Sequence, residues 1–187
     1  MASSPSSNTL YGFVNPEILK KAQQIKLLVC DVDGVFSDGR IYLGNDGEEL
    51  KAFHTKDGFG IKALGASGVD IAIITGRKSK IVSNRMQALN VHHIIQGEED
   101  KLPALKALTI QQNIQLNEIA YIGDDVPDLA CIQAVGLGIA VMDAHPSVLK
   151  HADHTTFIRG GFGAVREVCD MIMLAQGTLA DAKGASV

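Results

Sequence analysis

Cysteine is scarce in this chain and nowhere clustered. Its three thiols, Cys30, Cys131 and Cys169, are odd in number, far apart and without CxxC spacing. Neither a disulfide framework nor a zinc cluster is implied, and all three read as reduced packing residues. Also missing is any apolar run as long as a membrane span requires, and the N-terminal MASSPSSNTLYGF has no basic region leading into an apolar one. A cytoplasmic protein without membrane contact is the expectation. Positive charge is not in excess: 17 Lys and Arg face 21 Asp and Glu, for a net charge of -4. A mildly acidic surface does not attract nucleic acid or anionic lipid as a whole, so an anionic ligand must be met locally. No stretch matches GxxxxGK[ST], which leaves a P-loop NTPase unsupported. Neither an internal repeat nor a low-complexity linker divides the chain.

What is present fits one globular domain, since 187 residues with 46% hydrophobic content suffice for a single sizeable core. The domain is placed at residues 10–187, with residues 1–9 polar and flexible. NPEILKKAQQI reads as a short helix with Asn15 as N-cap and Pro16 in its first turn. Apolar runs of strand length then follow in KLLVCDV, VDIAIITG, VHHIIQG, EIAYIGD and GIAVM. Between them stand the amphipathic stretches GFGIKALGAS, KSKIVSNRMQAL, KLPALKALTIQQN and VPDLACIQAV. Continuous Val/Ile/Leu runs mark strands covered on both faces, so the fold class is α/β, a doubly wound and mostly parallel sheet. Residues 40–54 break the alternation with two short strand-like runs around GNDG. They are expected to form a β-hairpin above the C-terminal end of the first strand, either walling a site or merely decorating the surface.

Asp31 and Asp33 leave the first strand one residue apart, followed by Gly34. Two buried carboxylates repel each other and are costly to desolvate, so they need cations nearby. A lone Asp-x-Asp pair could simply cap the following loop. A second acidic group, Asp124, Asp125 and Asp128 in YIGDDVPDL, stands at another strand end. Asp128 reads as a helix cap, whereas Asp124 replaces an apolar residue at the strand terminus. If the first and fourth of the five strands are neighbours, Asp31, Asp33 and Asp124 converge, and Mg²⁺ is the cation that suits such oxygen ligands. Thr75 and Gly76 end another strand with a hydroxyl and free N–H groups, and Lys101 opens a helix where it opposes the helix dipole. Both are suited to an anion.

Asp-x-Asp, Thr, Lys and Asp-Asp at four successive strand ends resemble the haloacid dehalogenase superfamily of phosphotransferases. The motifs that match are DVDGV, ITG, Lys101 and GDDVPD. The resemblance implies that Asp31 is a nucleophile forming an aspartyl phosphate and that Asp33 is general acid and base. It further implies that Mg²⁺ is held by Asp31, the Asp33 carbonyl and Asp124, and that Thr75 and Lys101 bind the phosphoryl oxygens. DVDGVFSDGRIYL, KDGFGIKAL, ITGRKSKIVSNR, YIGDDVPDL, DAHPSVLKHAD and GGFGAVREVCDMIMLAQG look more specifically like the 3-deoxy-D-manno-octulosonate 8-phosphate phosphatase family of lipopolysaccharide biosynthesis. That resemblance spans nearly all of residues 10–187. It implies no large cap domain, a homotetramer whose hairpins and neighbouring subunits close the site, and a C-terminal tail, 178–187, that reaches a neighbouring site. The implied substrate contacts are Asp33, His54, Thr55, Lys56, Asp57, Gly58, Lys62, Arg77, Arg85 and Lys101. Lys62 stands where the family often has Arg, and His54, Thr55 and Lys56 match loosely.

Charge counting agrees independently. Between residues 40 and 85 lie eight basic and five acidic residues, a local excess of +3 against -4 overall. A sugar acid phosphate is anionic at both ends, and Arg suits its carboxylate. Lys78 and Lys80 read as a solvated face, and Arg77 and Arg85 could belong to either role. His92 with His93, and His151 with His154, are not expected to bind metal. Val165, Val168, Cys169 and Ile172 form a helical stripe that packs on the core or on a partner subunit. Two rivals stay open: a phosphatase for a related keto-sugar acid, and a receiver-like switch that accepts phosphate without turnover. Asp33 separates the switch from the enzyme, because turnover needs an acid and base beside the nucleophile.

Overall fold

The computed structural model describes residues 8–184. Most of the segment expected to be flexible, and the last three residues of the tail, lie outside them. Six strands form one parallel sheet: β1 (Leu27–Cys30), β4 (Asp70–Thr75), β5 (His93–Gln96), β6 (Ile119–Gly123), β7 (Leu137–Ala140) and β8 (His154–Thr155). Their order is β5-β4-β1-β6-β7-β8, with every pairing parallel. β1 is therefore central, and the chain winds first to one side of it and then to the other. This reversal opens the crevice beyond the strand ends where ligands bind in such sheets. The doubly wound class is as expected, and the pairing of the first strand with EIAYIG meets the condition on which the convergence of the strand-end aspartates depended. The sixth strand, β8, was not expected, because two residues beside a short helix give no apolar run to read.

Helices α1 (Pro16–Gln23), α2 (Thr55–Ala66) and α7 (Ala164–Gln176) pack together, and α4 (Lys101–Gln112), α5 (Leu129–Ala134) and α6 (Pro146–His151) form a second contiguous group. The remaining helix, α3 (Lys80–Ala88), follows β4. All four residues of β1 are buried, which explains why LLVC is continuously apolar. Asn15 caps α1 through a 2.9 Å hydrogen bond from the Glu17 N–H, with Pro16 at the first helical position. The apolar stripe of α7 is wider than its sequence implied. Val165, Val168, Cys169 and Ile172 are buried, but so are Met171, Met173, Glu167 and Asp170. The two acids are satisfied: Glu167 accepts from the Phe157 and Ile158 N–H groups, and Asp170 from Arg166 and Tyr11.

The hairpin is present in a minimal form. β2 (Tyr42–Leu43) and β3 (Glu49–Leu50) pair antiparallel around the turn that begins at Gly44. The Gly44 N–H donates to the Glu48 carbonyl at 2.9 Å. The tail continues past Gly177, which ends α7 in a left-handed conformation. Leu179–Asp181 make a 3₁₀ turn, with Leu179 and Ala182 packed on the chain's own core and Gly184 against Phe59. A segment this small and polar would ordinarily be disordered, but apolar contacts hold its described part. No helix among the described residues is long and apolar enough to cross a membrane.

Candidate active site

β1 stops at Cys30, and Asp31 follows while the chain is still tied to the sheet, its N–H donating to the Ile122 carbonyl at 3.0 Å. The pairing of β1 with β6 brings Asp124, the residue after β6, to the same end. Gly34 lets the loop pass beneath it: its φ is +89°, and a side chain there would collide with the Asp124 carboxylate. Only glycine tolerates both conditions. Ligand oxygens of Asp31, Asp124 and Asp128 all lie within 4.8 Å of one another. They line a cavity of about 360 Å³ together with Asp33, Thr75, Gly76, Arg77, Lys101 and Asp125.

Lys101 is the first residue of α4 and is buried. Its ammonium donates to Asp31 at 2.8 Å and to Asp128 at 2.6 Å. Burial alone would depress this lysine, but the two carboxylates outweigh it and hold the pKa above the ordinary value. A lysine misplaced for its helix dipole is thus explained by a buried ion pair. Asp128 is more than a cap. It does accept from the Asp124 and Asp125 N–H groups, at 3.1 and 3.2 Å. Its other oxygen accepts from Lys101 and from the Tyr121 hydroxyl, at 2.6 and 2.7 Å. With two donors on each oxygen its lone pairs are filled, so it orients the cluster from behind. Asp31 and Asp124 keep capacity for a cation.

Their electrostatics show the same need. Burial first, and then the charges of Asp31, Asp128 and Asp125, push the Asp124 carboxyl up to about 8. Asp31 is also shifted upward, by burial and by Asp128, with Lys101 opposing. Carboxylates crowded this way favour a hard divalent cation, and the residues fit Mg²⁺ with its preference for a few carboxylates, a carbonyl and water.

Thr75 ends β4, with Gly76 and Arg77 after it on the cavity wall. The helix that follows begins only at Lys80, and the Ser79 N–H is already taken by Gln96 Oε1 at 2.7 Å. The Thr75 hydroxyl and the loop after it, rather than a helix N-terminus, line the cavity here. Arg77 approaches Glu49 Oε2 at 3.2 Å and Asp33 Oδ2 at 3.9 Å.

The remaining expected substrate contacts are not on this cavity wall. His54 caps α2, accepting from the Lys56 N–H at 3.1 Å, while Thr55 and Lys56 are exposed. The Asp57 side chain is buried, and its Oδ1 accepts from the Arg166 N–H in the first turn of α7 at 2.8 Å. Burial raises its pKa to about 7 against the pull of Arg166 and Arg85. Gly58 is buried where a side chain would strike Arg85; Lys62 and Arg85 lie partly exposed on α2 and α3.

Three residues at the site carried weak or misread signals. Asp128 resembles any first-turn aspartate, and Tyr121 resembles strand filler. Lys51, merely one charge among eight, donates to Asp33 from the hairpin. Its signal was the two-residue spacing from Glu49, which turns both side chains toward one face.

Residues 90–158 match the model of the haloacid dehalogenase-like hydrolase family. The chain is 51% identical over 179 residues to 3-deoxy-D-manno-octulosonate 8-phosphate phosphatase of Salmonella typhimurium, covering 96% of this chain and 95% of that protein. The chain belongs to the 3-deoxy-D-manno-octulosonate 8-phosphate phosphatase family. A crystal structure of the family from Yersinia pestis superposes with a TM-score of 0.94 at 50% identity, covering 96% of this chain and 97% of that one. A phosphatase of the same family from Moraxella catarrhalis was crystallised with magnesium ion, phosphate ion and KDO. It superposes with a TM-score of 0.87 at 47% identity, covering 88% and 95%.

Proposed function

We propose that the chain is a Mg²⁺-dependent cytoplasmic phosphatase of one domain. It hydrolyses 3-deoxy-D-manno-octulosonate 8-phosphate to the free sugar acid and phosphate in lipopolysaccharide biosynthesis. The observation that carries this reading is Asp31, held by Lys101 at the end of the central strand and converging with Asp124 in an anion-lined cavity.

Asp31 attacks phosphorus, and the bond to the leaving alkoxide breaks as the aspartyl phosphate forms. Asp33 gives its proton to that alkoxide, then takes one from the water that splits the aspartyl phosphate and releases Asp31. Asp31, the Asp33 carbonyl and Asp124 would hold Mg²⁺, which offsets the repulsion between carboxylate and phosphate when bound. Lys101 neutralises Asp31 and, with Thr75, meets the phosphoryl oxygens as their charge changes. Arg77, on the cavity wall, is the residue we assign to the sugar's carboxylate.

We assign His54, Thr55, Lys56, Lys62 and Arg85, which lie off the cavity wall, to the border with a neighbouring subunit in a homotetramer. The apolar exposure of the hairpin supports that assembly: Leu43 and Leu50 are 73% and 64% exposed.

Phosphate release from a panel of sugar acid phosphates, with Mg²⁺ and with chelator, tests the reading. The eight-carbon 8-phosphate should turn over fastest and only with the metal. A preference for another keto-sugar acid would move the substrate assignment, and single-turnover phosphorylation without release would make the chain a switch. Asp31→Ala should abolish release while leaving the far-UV circular dichroism unchanged.

A further inference from the structure

The second strand of the hairpin turns two charges inward. Glu49 and Lys51 are two residues apart and share a face of the pleat, while Leu50 between them faces solvent. The Lys51 side chain is 0% exposed, and its ammonium donates to Asp33 Oδ1 and lies 3.6 Å from Glu49 Oε1. That Glu49 oxygen is itself buried without a hydrogen bond, so the charge of Lys51 is what holds it. Arg77 closes the ring through Glu49 Oε2 and Asp33 Oδ2. Two carboxylates and two cations thus join the hairpin, the loop after β1 and the loop after β4.

Hairpin stability does not account for this ring. A fully buried lysine is costly unless its charge is met, and a ladder of two residue pairs contributes little of its own. The contact instead fixes one oxygen of the side chain that must move protons. Ser37 Oγ also reaches Asp33 Oδ1, at 3.4 Å, so Oδ1 carries the structural contacts. Among the described residues Oδ2 has only the looser Arg77, at 3.9 Å.

We propose that Lys51, held by Glu49, is a positioning residue that pins Asp33 Oδ1 and leaves Oδ2 as the oxygen that exchanges the proton. In the first step the Oδ2 proton passes to the alkoxide oxygen as its bond to phosphorus breaks and the Asp31 oxygen bonds to phosphorus. In the second, Oδ2 takes a proton from water as the water oxygen bonds to phosphorus and the Asp31–phosphorus bond breaks. The proposal rests on Asp33 being the acid and base, and its test separates the two ideas.

The test compares the full-length Mg²⁺ enzyme with Lys51→Met, Glu49→Gln and Asp33→Asn, on the sugar acid phosphate and on 4-nitrophenyl phosphate, whose nitrophenolate leaves without protonation. For Lys51→Met, kcat on the sugar acid phosphate should fall roughly 10²-fold, the scale of a misplaced catalytic group, with KM little changed. On the aryl ester it should release one equivalent of nitrophenolate rapidly and then turn over slowly, because only the second step still needs the base. Glu49→Gln, which retains the lysine, should show the same pattern more weakly, and it carries the test if Lys51→Met does not fold. Unchanged kcat in the folded variants, a loss confined to KM, or equal loss of burst and turnover would each overturn the positioning role. Asp33→Asn should give the burst without turnover. If it turns over normally, the acid and base reading fails; if it is impaired while Lys51→Met and Glu49→Gln are normal, the role of Lys51 alone fails.

Discussion

Asp128 and Asp124 look alike in GDDVPD yet are treated in opposite ways by their surroundings. Four donors saturate Asp128, whereas Asp124 is left crowded by like charges. Asp128→Ala removes one of the two carboxylate partners of a buried lysine and the acceptor of the Tyr121 hydroxyl. Relief of repulsion within the cluster offsets part of the loss, so the expected cost is about 3 kcal/mol, read from urea unfolding. Mg²⁺ affinity should also drop roughly 10- to 100-fold, the usual effect of losing an orienting partner, as measured by calorimetric titration. Asp124 supplies a pH dependence with a defined sign. Its folded pKa of about 8 lies above the ordinary carboxylate value. Its contribution to the stability of the metal-free protein is therefore complete below about pH 4 and lost as pH rises toward 8. Mg²⁺ requires the deprotonated form, so the increase in Tm on adding the metal should be larger at pH 8 than at pH 5.5. An equal increase at both would show that the cation does not engage this carboxylate.

At the level of elements, truncation after Gly177 distinguishes an ordered tail from a loose one. Leu179 and Ala182 pack on the core, and exposing what they cover should cost roughly 1–2 kcal/mol, visible as a lower Tm even where activity persists. A tail engaged only at another subunit would leave monomer stability unchanged. The tail's order was hidden because small residues in TLADAKGASV give no periodic apolar signal. Longer elements were plain for the opposite reason. LLVC, IAIIT and IAYIG are uninterrupted because neighbours cover both faces, and that same burial makes an aspartate just beyond them conspicuous. Asp31, Asp124 and Thr75 were therefore visible as strand-end departures. β8 is two residues long, too short for periodicity to register, whereas the equally short hairpin strands were legible through the GNDG turn between them. Asp128 was read only as a cap, and Lys51 only as one charge among eight, because the features that mark them, saturated hydrogen bonding and a buried side chain, belong to the folded chain.

The whole molecule presents an acidic cleft beneath a hairpin with exposed apolar side chains. Ile41, Tyr42, Leu43 and Leu50 are all exposed on it, an unusual surface for a solitary chain and suited to contact between copies. If the proposed homotetramer forms through this surface, Leu43→Lys with Leu50→Lys should lower the light-scattering mass; an unchanged mass would put the contacts elsewhere. The central position of β1 bears on how the molecule breathes. An amide hydrogen-bonded between the two innermost strands, as that of Asp31 is to Ile122, exchanges its proton with solvent only through the opening that unfolds the entire sheet. The two-pair ladder of the hairpin opens far more often and by itself. Asp31, the proposed nucleophile, would then keep its place through every local excursion of the hairpin, while the support of Asp33, its proposed proton carrier, loosens and re-forms with each one.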